Sequence, residues 1–391
     1  MRKFFDSLYH YLWAFGSSLF YNFPSRKLVV IGVTGTKGKT TVVDLIAAIL
    51  REGGKKVIVS STLHFAVDDD DMRNLLKMTM PGRSFLQALL ARGVRESCTH
   101  AVIEMSSEGA RQHRHRFIAL DALVVTNISP EHIESHGSYE HYLAAKRSIA
   151  EGLTHSAKKE RILVMNADDK EKDTFLSLPI PTKVTFSSAD PFPYETVLPG
   201  AMNRINILAA AAVTRALGVR EETIKNAIKN FRGVRGRMEA IPNNRGIRIY
   251  VDYAHTADSL SAAYQAAGPG EKICVLGACG GGRDRWKRPQ MARVAEEHCR
   301  DIIFTNEDPY DESPQAIIEE MAVALPPDSY TIILDRRGAI KEALTRAHER
   351  DTVMITGKGT DPFIMGQKGT KIPWDDATVV REELQKLNDH G

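Results

Sequence analysis

The sequence has little of what marks several common protein classes. Four cysteines (Cys98, Cys274, Cys279 and Cys299) in 391 residues form no CxxC pair. They predict neither a disulfide framework nor a zinc site, and the pattern is typical of a reducing compartment. The net charge of +3 is too small to indicate nucleic acid as a partner. No internal repeat is visible, and no run of about 18 apolar residues predicts a transmembrane segment.

The composition that is present predicts a folded chain with a large core. Hydrophobic residues make up 43% and charged residues 26%, which excludes a disordered or collagen-like protein. At roughly 100–200 residues per domain, the length predicts two or three domains.

Residues 1–26 are rich in aromatic side chains but lack the compact apolar stretch and small-residue cleavage site of a signal peptide. We expect a helix that packs its Phe, Leu, Tyr and Trp face on the following domain, in preference to an interfacial membrane helix. The chain is therefore expected to be cytoplasmic.

Short β-branched runs alternate with helical patterns, which predicts parallel α/β sheets. The first five predicted strands cover residues 28–33, 57–61, 100–105, 122–128 and 161–166; the second five cover 247–254, 272–278, 301–306, 330–334 and 351–357. The helix after the first strand is predicted to stop at Gly53-Gly54. The acidic run 68–71 is expected to be a solvated loop.

The Gly- and Arg-rich stretch 231–239 separates the two series of strands. We place a domain boundary near Gly233, which gives an N-terminal helical segment (1–26), a central domain (27–233) and a C-terminal domain (234–391).

A glycine-rich loop lies between the first predicted strand and its helix, in VVIGVTGTKGKTT. Backbone amides in such a loop bind phosphate, with help from the helix N-terminus. Lys39 is predicted to reach the β- and γ-phosphates, and the Thr40 hydroxyl to bind Mg²⁺. The general P-loop pattern has glycine five residues before Gly38, where this chain has Val33.

Glu104 ends the predicted strand HAVIE. A carboxylate at the carboxyl end of a strand beside a phosphate loop is well placed to bind Mg²⁺, directly or through water. Without the loop, a surface or helix-capping carboxylate would explain it equally well.

A dozen short motifs in one order resemble the Mur ligase family, and within it the MurE type, the UDP-N-acetylmuramoyl-tripeptide synthetases. They run from GVTGTKGKTT through TMP (79–81), IEMSSEGARQHR (103–114), TNISPEHIESHG (126–137), YLAAKRSI (142–149), MNRINILAA (202–210), RGRME (235–239), VDYAHT (251–256) and GGGRDRWKRPQM (280–291) to GKG (357–359). The resemblance covers about residues 28–365. It implies a P-loop ATPase domain with a parallel sheet, followed by a Rossmann-like α/β domain.

The resemblance also implies a reaction. ATP phosphorylates a substrate carboxylate, and the amine of an amino acid attacks the acyl phosphate to give an amide. Catalysis then depends on the placement of cations around the phosphoryl group. Lys39, Glu104, His132 and Lys146 are the implied catalytic residues. Thr40 and Glu104 would hold one Mg²⁺, and His132 and a carbamylated Lys146 would engage the second. The two domains are expected to close over the substrates.

The implied binding residues follow from the same motifs. Those for ATP are Gly35, Thr36, Lys37, Gly38, Lys39, Thr40, Thr41, Asn206, Arg237, Asp252 and His255. Those for the acceptor or the amino acid are Thr79, Met80, Pro81, Ser106, Ser107, Arg114, Arg283, Asp284, Arg288, Asp308, Gly357 and Asp361.

Three departures from the family pattern concern the acceptor and the amino acid. The loop begins at residue 32, leaving only residues 1–26 where relatives carry a domain of roughly a hundred residues that holds the uridine nucleotide. Diaminopimelate-adding relatives have D-N-P-R where this chain has Glu307-Asp308-Pro309-Tyr310. A phenol cannot replace the bidentate arginine clamp on a carboxylate, and the acidic pair suggests a cationic side chain such as lysine. The family's GKGHE is GKGTD here, so Asp361 stands in for a glutamate.

Three alternatives remain open at this point. A folylpolyglutamate-synthase-like or polyglutamate-synthase-like ligase would share the two core domains. A non-catalytic scaffold would bind ATP without needing the metal pair. A GTPase or kinase would leave the second domain unexplained.

Overall fold

The computed structural model describes residues 2–82, 84–130, 136–283 and 285–389. They form two compact units, and the chain passes from one to the other at residues 197–198, 201–202 and 232–233. The first unit contains residues 1–197 and 202–232, and the second contains residues 198–201 and 233–391. Residues 1–26 therefore belong to the first unit.

The first unit is built on an eight-stranded sheet with the order β4-β3-β2-β5-β1-β6-β7-β8. Its strands are β1 (Val29–Thr34), β2 (Val57–Ser60), β3 (His64–Val67), β4 (Asp70–Arg73), β5 (His100–Glu104), β6 (Ala122–Val125), β7 (Ile162–Asn166) and β8 (Thr182–Phe186). Its helices are α1 (Arg2–Phe20), α2 (Lys39–Glu52), α3 (Phe85–Arg95), α4 (Ser107–Arg111), α5 (Tyr139–Thr154), α6 (Lys172–Leu176), α7 (Ala201–Ala216) and α8 (Glu221–Asn230). The β3–β4 hairpin is antiparallel, and the other pairs except β2–β3 are parallel.

The second unit is built on a six-stranded sheet with the order β13-β12-β11-β14-β10-β9. Its strands are β9 (Glu239–Ala240), β10 (Arg248–Val251), β11 (Lys272–Leu276), β12 (Asp301–Phe304), β13 (Thr331–Ile332) and β14 (Thr352–Ile355), followed by the hairpin β15 (Phe363–Met365) and β16 (Lys371–Pro373). Its helices are α9 (Ala257–Ala266), α10 (Lys287–His298), α11 (Pro314–Ala322), α12 (Arg336–Arg346) and α13 (Asp376–Asp389).

All ten predicted strands are present, and the predicted α/β class is confirmed. The parallel strands are buried on both faces because helices cover the sheets, which explains their continuous apolar runs. Helix α2 ends as predicted, with Gly53 at its C-cap.

The prediction of a solvated loop at the acidic run holds for its first half only. Asp68 and Asp69 form a turn, in which Asp68 has φ +56°, whereas Asp70 and Asp71 begin the edge strand β4. Polar residues suit this strand because all four of its residues are exposed. His64 and Arg92 pair with these carboxylates.

The prediction of no disulfide is also wrong. Cys274 in β11 and Cys299 at the end of α10 are bonded, with their Cα atoms 6.0 Å apart. They lie 25 residues apart in the chain, and only the packing of α10 on the sheet brings them together.

The N-terminal helix is present, but it packs less completely than predicted. The rings of Tyr11 and Phe15 contact Phe117. Leu12 and Phe20 on the same helix are 57% and 81% exposed. Within the described part of the chain, none of the helices has the length and apolar character that crossing a bilayer requires.

Candidate active site

The glycine-rich loop follows β1 and leads into α2, and two of its glycines are required by geometry. Gly35 has φ +146° and Gly38 has φ +81°. A Cβ on Gly35 would lie 1.9 Å from Thr126 Oγ1, and one on Gly38 would lie 2.2 Å from Asn206 Oδ1. The loop therefore holds its shape only with glycine at both positions.

Asn127 holds the loop by hydrogen bonds, and the first amides of α2 are left without a side-chain cap. Asn127 accepts hydrogen bonds from the Thr36 amide (2.7 Å) through its carbonyl and from the Lys37 amide (2.9 Å) through its side chain. The N-cap of α2 is Gly38, which supplies no side-chain cap. The amides of the first turn, Lys39–Thr41, thus remain for an anion at the positive end of the helix.

Lys39 and Lys146 both lie against the loop. Lys39 Nζ donates to the Thr36 carbonyl (2.8 Å), and Lys146 Nζ donates to the Gly35 carbonyl (2.6 Å). Lys146 is only 2% exposed, and its ammonium lies 4.9 Å from the centre of the Tyr142 ring. The Tyr142 hydroxyl in turn lies 2.7 Å from Thr36 Oγ1. The helix α5 thereby places a buried lysine at the phosphate loop.

Glu104 ends β5 beside the loop, and its buried carboxylate is surrounded by neutral donors. Glu104 Oε2 accepts hydrogen bonds from Thr40 Oγ1 (3.0 Å) and the Thr62 amide (2.9 Å). Its Oε1 accepts from Thr62 Oγ1, also at 2.9 Å. Among the described residues, no lysine, arginine or histidine forms an ion pair with it.

This donor set fits Mg²⁺, which prefers carboxylate and hydroxyl oxygens and commonly takes the rest of its ligands from water and substrate phosphates. A buried carboxylate without a cationic partner also gains from a bound cation. Within the described ranges no group of three or more His, Cys, Asp or Glu side chains gathers around one point. Thr40 and Glu104 would therefore supply only part of the coordination.

The predicted acceptor segment connects to the same network. Thr79 Oγ1 lies 2.9 Å from Thr62 Oγ1, which bonds Glu104. The side chain of Met80 is 1% exposed and belongs to the hydrophobic core, whereas its carbonyl accepts a hydrogen bond from Arg114. Met80 therefore positions the segment, and its side chain is not available to a ligand.

The two serines after β5 have different roles. Ser106 caps α4 by accepting from the Gly109 amide (3.1 Å). Ser107 Oγ lies 3.1 Å from His136 Nε2. Of the two serines, only Ser107 has a histidine side chain at its hydroxyl among the described residues.

Asn206 is 3% exposed and packs against Gly38. This places it as a support of the phosphate loop. Contact between Asn206 and adenine stays a prediction.

In the second unit, three predicted nucleotide residues gather after β10. The guanidinium of Arg237 lies 4.4 Å from the centre of the Tyr253 ring. Asp252 accepts from the amides of Met238 (2.6 Å) and Ala254 (2.7 Å). Burial raises the pKa of Asp252, although Arg237 and the two amides act in the opposite direction. His255 is held by its Nδ1, 2.8 Å from the Tyr253 carbonyl.

A second buried cluster lies after β14. Lys358 Nζ donates to Asp308 (2.8 Å), Asp361 (3.0 Å) and the Phe363 carbonyl (2.6 Å), and its side chain is 1% exposed. Burial acts to lower the pKa of Lys358, but the two carboxylates outweigh it and raise that pKa above its ordinary value. The predicted ligands Asp308 and Asp361 are thus engaged by a lysine of the chain itself.

Glu307 and Cys279 complete this cluster. The Cys279 thiol donates to Glu307 Oε1 at 2.8 Å. Burial raises the pKa values of both side chains. Gly357 has φ +105°, and a Cβ there would lie 2.4 Å from Glu307 Oε2. Because Glu307 is buried and Asp308 is paired, the acidic pair does not support the hypothesis of a lysine-binding site.

Two arginines of segment 280–291, Arg283 and Arg288, are predicted site residues. Arg288 is 1% exposed and pairs with Glu312 (3.0 Å) and Glu320 (2.7 Å), so it is a structural residue. Burial acts to lower the pKa of Arg283, but electrostatic interaction with Cys279 and a hydrogen bond with Tyr310 outweigh it and raise that pKa. The predicted site residues His132 and Asp284 lie outside the described residues.

Sequence reasoning missed several members of the site. Thr62 joins Glu104 to Thr79, Asn127 fixes the loop, and Lys358 forms ion pairs with two carboxylates. Asn127 and Lys358 stand inside quoted motifs, and that position was the available signal. Thr62 lies in no such motif, and only the pairing of β2 with β5 brings it to Glu104.

Comparison with known families gives two matches that together span most of the chain. Residues 33–192 match the Mur ligase middle domain, and residues 236–359 match the domain described as Mur ligase, glutamate ligase domain.

Two curated relatives are named UDP-N-acetylmuramoyl-L-alanyl-D-glutamate--2,6-diaminopimelate ligase. The one from Gloeobacter violaceus is 36% identical over 406 residues, covering 96% of this chain and 81% of its own. The one from Bacillus cereus is 33% identical over 396 residues, covering 93% and 80%. The chain thus spans about four fifths of the length of these relatives.

Solved structures agree on the fold. A UDP-N-acetylmuramoyl-L-alanyl-D-glutamate--2,6-diaminopimelate ligase superimposes with a TM-score of 0.64 at 26% identity, covering 92% of this chain and 79% of that one. A folylpolyglutamate synthase from Mycobacterium tuberculosis, complexed with ADP, superimposes with a TM-score of 0.72 at 16% identity, covering 88% and 91%. The second likeness concerns the fold alone.

Proposed function

The chain belongs to the Mur ligase family, and from that premise we propose that it is an ATP-dependent ligase that joins an amino acid to the carboxylate of a muramoyl-peptide acceptor in peptidoglycan synthesis. The observation that carries this proposal is the phosphate loop with Glu104 and Lys146 beside it. Relatives with 33–36% identity are named as ligases of this kind.

The loop would bind the phosphates of ATP. The first-turn amides of α2 and the ammonium of Lys39 supply positive charge, and Lys39 would exchange its bond to the Thr36 carbonyl for one to a phosphate oxygen. Close packing at Gly35 and Gly38 and the hydrogen bonds of Asn127 fix the loop before ATP binds, so little reorganisation is needed in the transition state.

Mg²⁺, when bound, neutralises the charge that develops on the transferring phosphoryl group. Thr40 and Glu104 would hold it, and Thr62 fixes the Glu104 carboxylate in place. Carbamylation of Lys146 stays part of the proposal. Its support is the burial of the side chain at the Gly35 carbonyl, where an added carboxylate would face the phosphate loop.

The chemical steps follow from the bonds that change. An acceptor carboxylate oxygen attacks the γ-phosphorus, and the bond from that phosphorus to the bridging oxygen of ADP breaks. The amine then attacks the carbonyl carbon of the acyl phosphate, loses a proton, and phosphate leaves as the amide forms. Ser107, held by His136, and Arg114 are proposed to position the acceptor.

The amino acid is bound, in this proposal, by the second unit. Tyr310 cannot form the two parallel N–H bonds that an arginine offers to a distal carboxylate. We therefore expect an amino acid without a distal carboxylate to be used at least as well as 2,6-diaminopimelate.

The test is ATP-dependent phosphate release over a matrix of substrates. UDP-N-acetylmuramoyl-L-alanyl-D-glutamate is paired with diaminopimelate, lysine, alanine or glutamate, and folate plus glutamate is the control pair. Phosphate release with the muramoyl pairs but not with the folate pair supports the proposal. Phosphate release with the folate pair but not with the muramoyl pairs favours a folylpolyglutamate-type ligase. ATP binding without release for any pair favours a scaffold and contradicts the proposal.

A further inference from the structure

The first unit contains a cavity of about 420 Å³ beneath the N-terminal helix. Tyr9 and Trp13 of α1 line the cavity, together with Met78 and Pro81. Arg114 and Arg116 also belong to its lining. Its size falls in the range of small-molecule sites, which combine apolar walls with a few polar groups.

The charge in this cavity is of one sign. Two arginines line it, and none of its lining residues is Asp or Glu. Arg114 is turned toward the protein, where it donates to the Met80 carbonyl and to Gln112. Arg116 Nε is buried without a hydrogen-bond partner, and no carboxylate among the described residues pairs with this guanidinium. An unpaired, partly buried guanidinium is costly until an anion binds to it.

Tyr9 and Trp13 give the cavity an aromatic lining. Tyr9 and Trp13 lie one helical turn apart, with their rings parallel within 9° and their centres 6.3 Å apart. They remain 55% and 47% exposed. Helix α1 is held in place by other residues, since Tyr11 and Phe15 contact Phe117. The two rings are thus a supported surface rather than part of the core.

The cavity adjoins the proposed reaction site within the same unit. Pro81 and Arg114 belong to the cavity and to the segments proposed to hold the acceptor. Thr79, two residues before Pro81, connects through Thr62 to Glu104. An acceptor whose carboxylate lies at the proposed Mg²⁺ site of Thr40 and Glu104 would extend along residues 79–81 into this cavity.

We propose that this cavity binds the part of the acceptor that does not react, with an anionic group on Arg116 and a flat apolar surface, such as a sugar face, on the Tyr9–Trp13 pair. This inference rests on the proposed function, since it assumes that the carboxylate acceptor enters from this side. It assigns α1 a role in substrate recognition that none of the family motifs contains.

The test compares two cavity variants, R116Q and W13A, with two matched controls in the same unit. L12A removes an exposed side chain from the same helix, and R95Q removes an exposed arginine from α3; neither residue lines the cavity. The probe is UDP-N-acetylmuramoyl-L-alanyl-D-glutamate. Its binding is measured by isothermal titration calorimetry without ATP, and its KM by phosphate release.

We expect R116Q to weaken binding and to raise the acceptor KM by about tenfold to a hundredfold, as for loss of a charged hydrogen bond. W13A should raise it by about tenfold. The KM for ATP and the values for both controls should stay within about twofold of wild type. Cavity variants that behave like L12A and R95Q overturn the inference, as does a wild-type protein that shows no Trp13-dependent binding at millimolar probe.

Failure of the proposed function gives a different result. If wild type binds the probe through Arg116 and Trp13 but releases no phosphate, the cavity stands and the ligase proposal falls. Sedimentation with phosphatidylglycerol vesicles tests whether the anionic ligand of the cavity is a lipid instead of the muramoyl acceptor. Vesicle binding lost in R116Q, together with an unchanged acceptor KM, would assign the cavity to lipid and overturn the inference.

Discussion

The two units treat buried charge in opposite ways. In the first, Glu104 is surrounded by the neutral donors of Thr40 and Thr62 and has no cationic partner among the described residues. In the second, Asp308 and Asp361 are both paired with Lys358. The carboxylate in the first unit has only neutral partners in the described part of the chain, whereas the two carboxylates in the second unit share the ammonium of Lys358. The difference distinguishes the proposed Mg²⁺ site from a cluster that stabilises the fold.

The largest expected effect is the loss of stability when the ammonium of Lys358 is removed from the second unit. Replacing Lys358 by methionine (K358M) removes the ammonium that pairs with two buried carboxylates, so the free energy of unfolding should fall by about 3–5 kcal/mol. Urea unfolding followed by circular dichroism measures the loss, and hydrogen exchange in β14 assigns it to this unit. K341M, at an exposed position of α12, is the control.

Replacing Glu104 should affect activity much more than stability. In E104Q the amide keeps the shape and can donate to Thr62 Oγ1, so stability should change by no more than about 1 kcal/mol. Activity that depends on Mg²⁺ should nevertheless be lost. If E104Q unfolds as readily as K358M, the contrast between the two clusters is wrong.

The next largest effect concerns the loop itself. K39M removes the charge placed at the phosphates, and we expect kcat to fall by about 10²–10³-fold with little change in the urea midpoint. K55M, on the exposed turn after α2, should retain wild-type kcat. A K39M protein with normal kcat would contradict the placement of ATP at this loop.

The smallest effect is a difference in pH response. Burial acts to lower the pKa of His64, but Asp44 and Asp71 outweigh it and raise the pKa from 6.5 to about 9. The protonated form is thus favoured by folding. Its stabilisation of the first unit, about 1–3 kcal/mol, is complete below pH 6.5 and is lost as the pH rises toward 9. Lys358 stays charged over this range, so its ion pairs with Asp308 and Asp361 should not respond.

Urea midpoints at pH 6 and pH 9 measure this effect. H64Q should abolish most of the decrease, and H155Q, at an exposed position, should keep it. A wild-type protein whose stability is the same at both pH values would show that the pair with Asp44 and Asp71 contributes nothing.

Much of the fold could be predicted because its signals are local. Buried parallel strands appear as short apolar runs, and Gly35, Gly38 and Lys39 stand within a few residues of one another. Strands β4 and β8 were missed because they lie at the sheet edges and their residues are mostly exposed. An exposed strand has no apolar run to identify it.

The site was predictable only where its residues share a motif. Glu104 and Lys146 were found from their positions in family segments. The ion pair between Asp308 and Lys358 joins residues 50 positions apart, and the disulfide joins Cys274 to Cys299 through packing. One sequence contains no signal for such contacts. The same is true of the cavity under α1, whose walls come from three separate stretches of chain.

The acidic edge strand β4 has a consequence for the behaviour of the protein in concentrated solution. Its free edge would otherwise be a template on which a strand of another molecule could add, as happens in aggregation. Asp70, Asp71 and Arg73 place ionised side chains along this edge. An incoming strand would have to bury these charges, so this end of the sheet resists self-association between molecules.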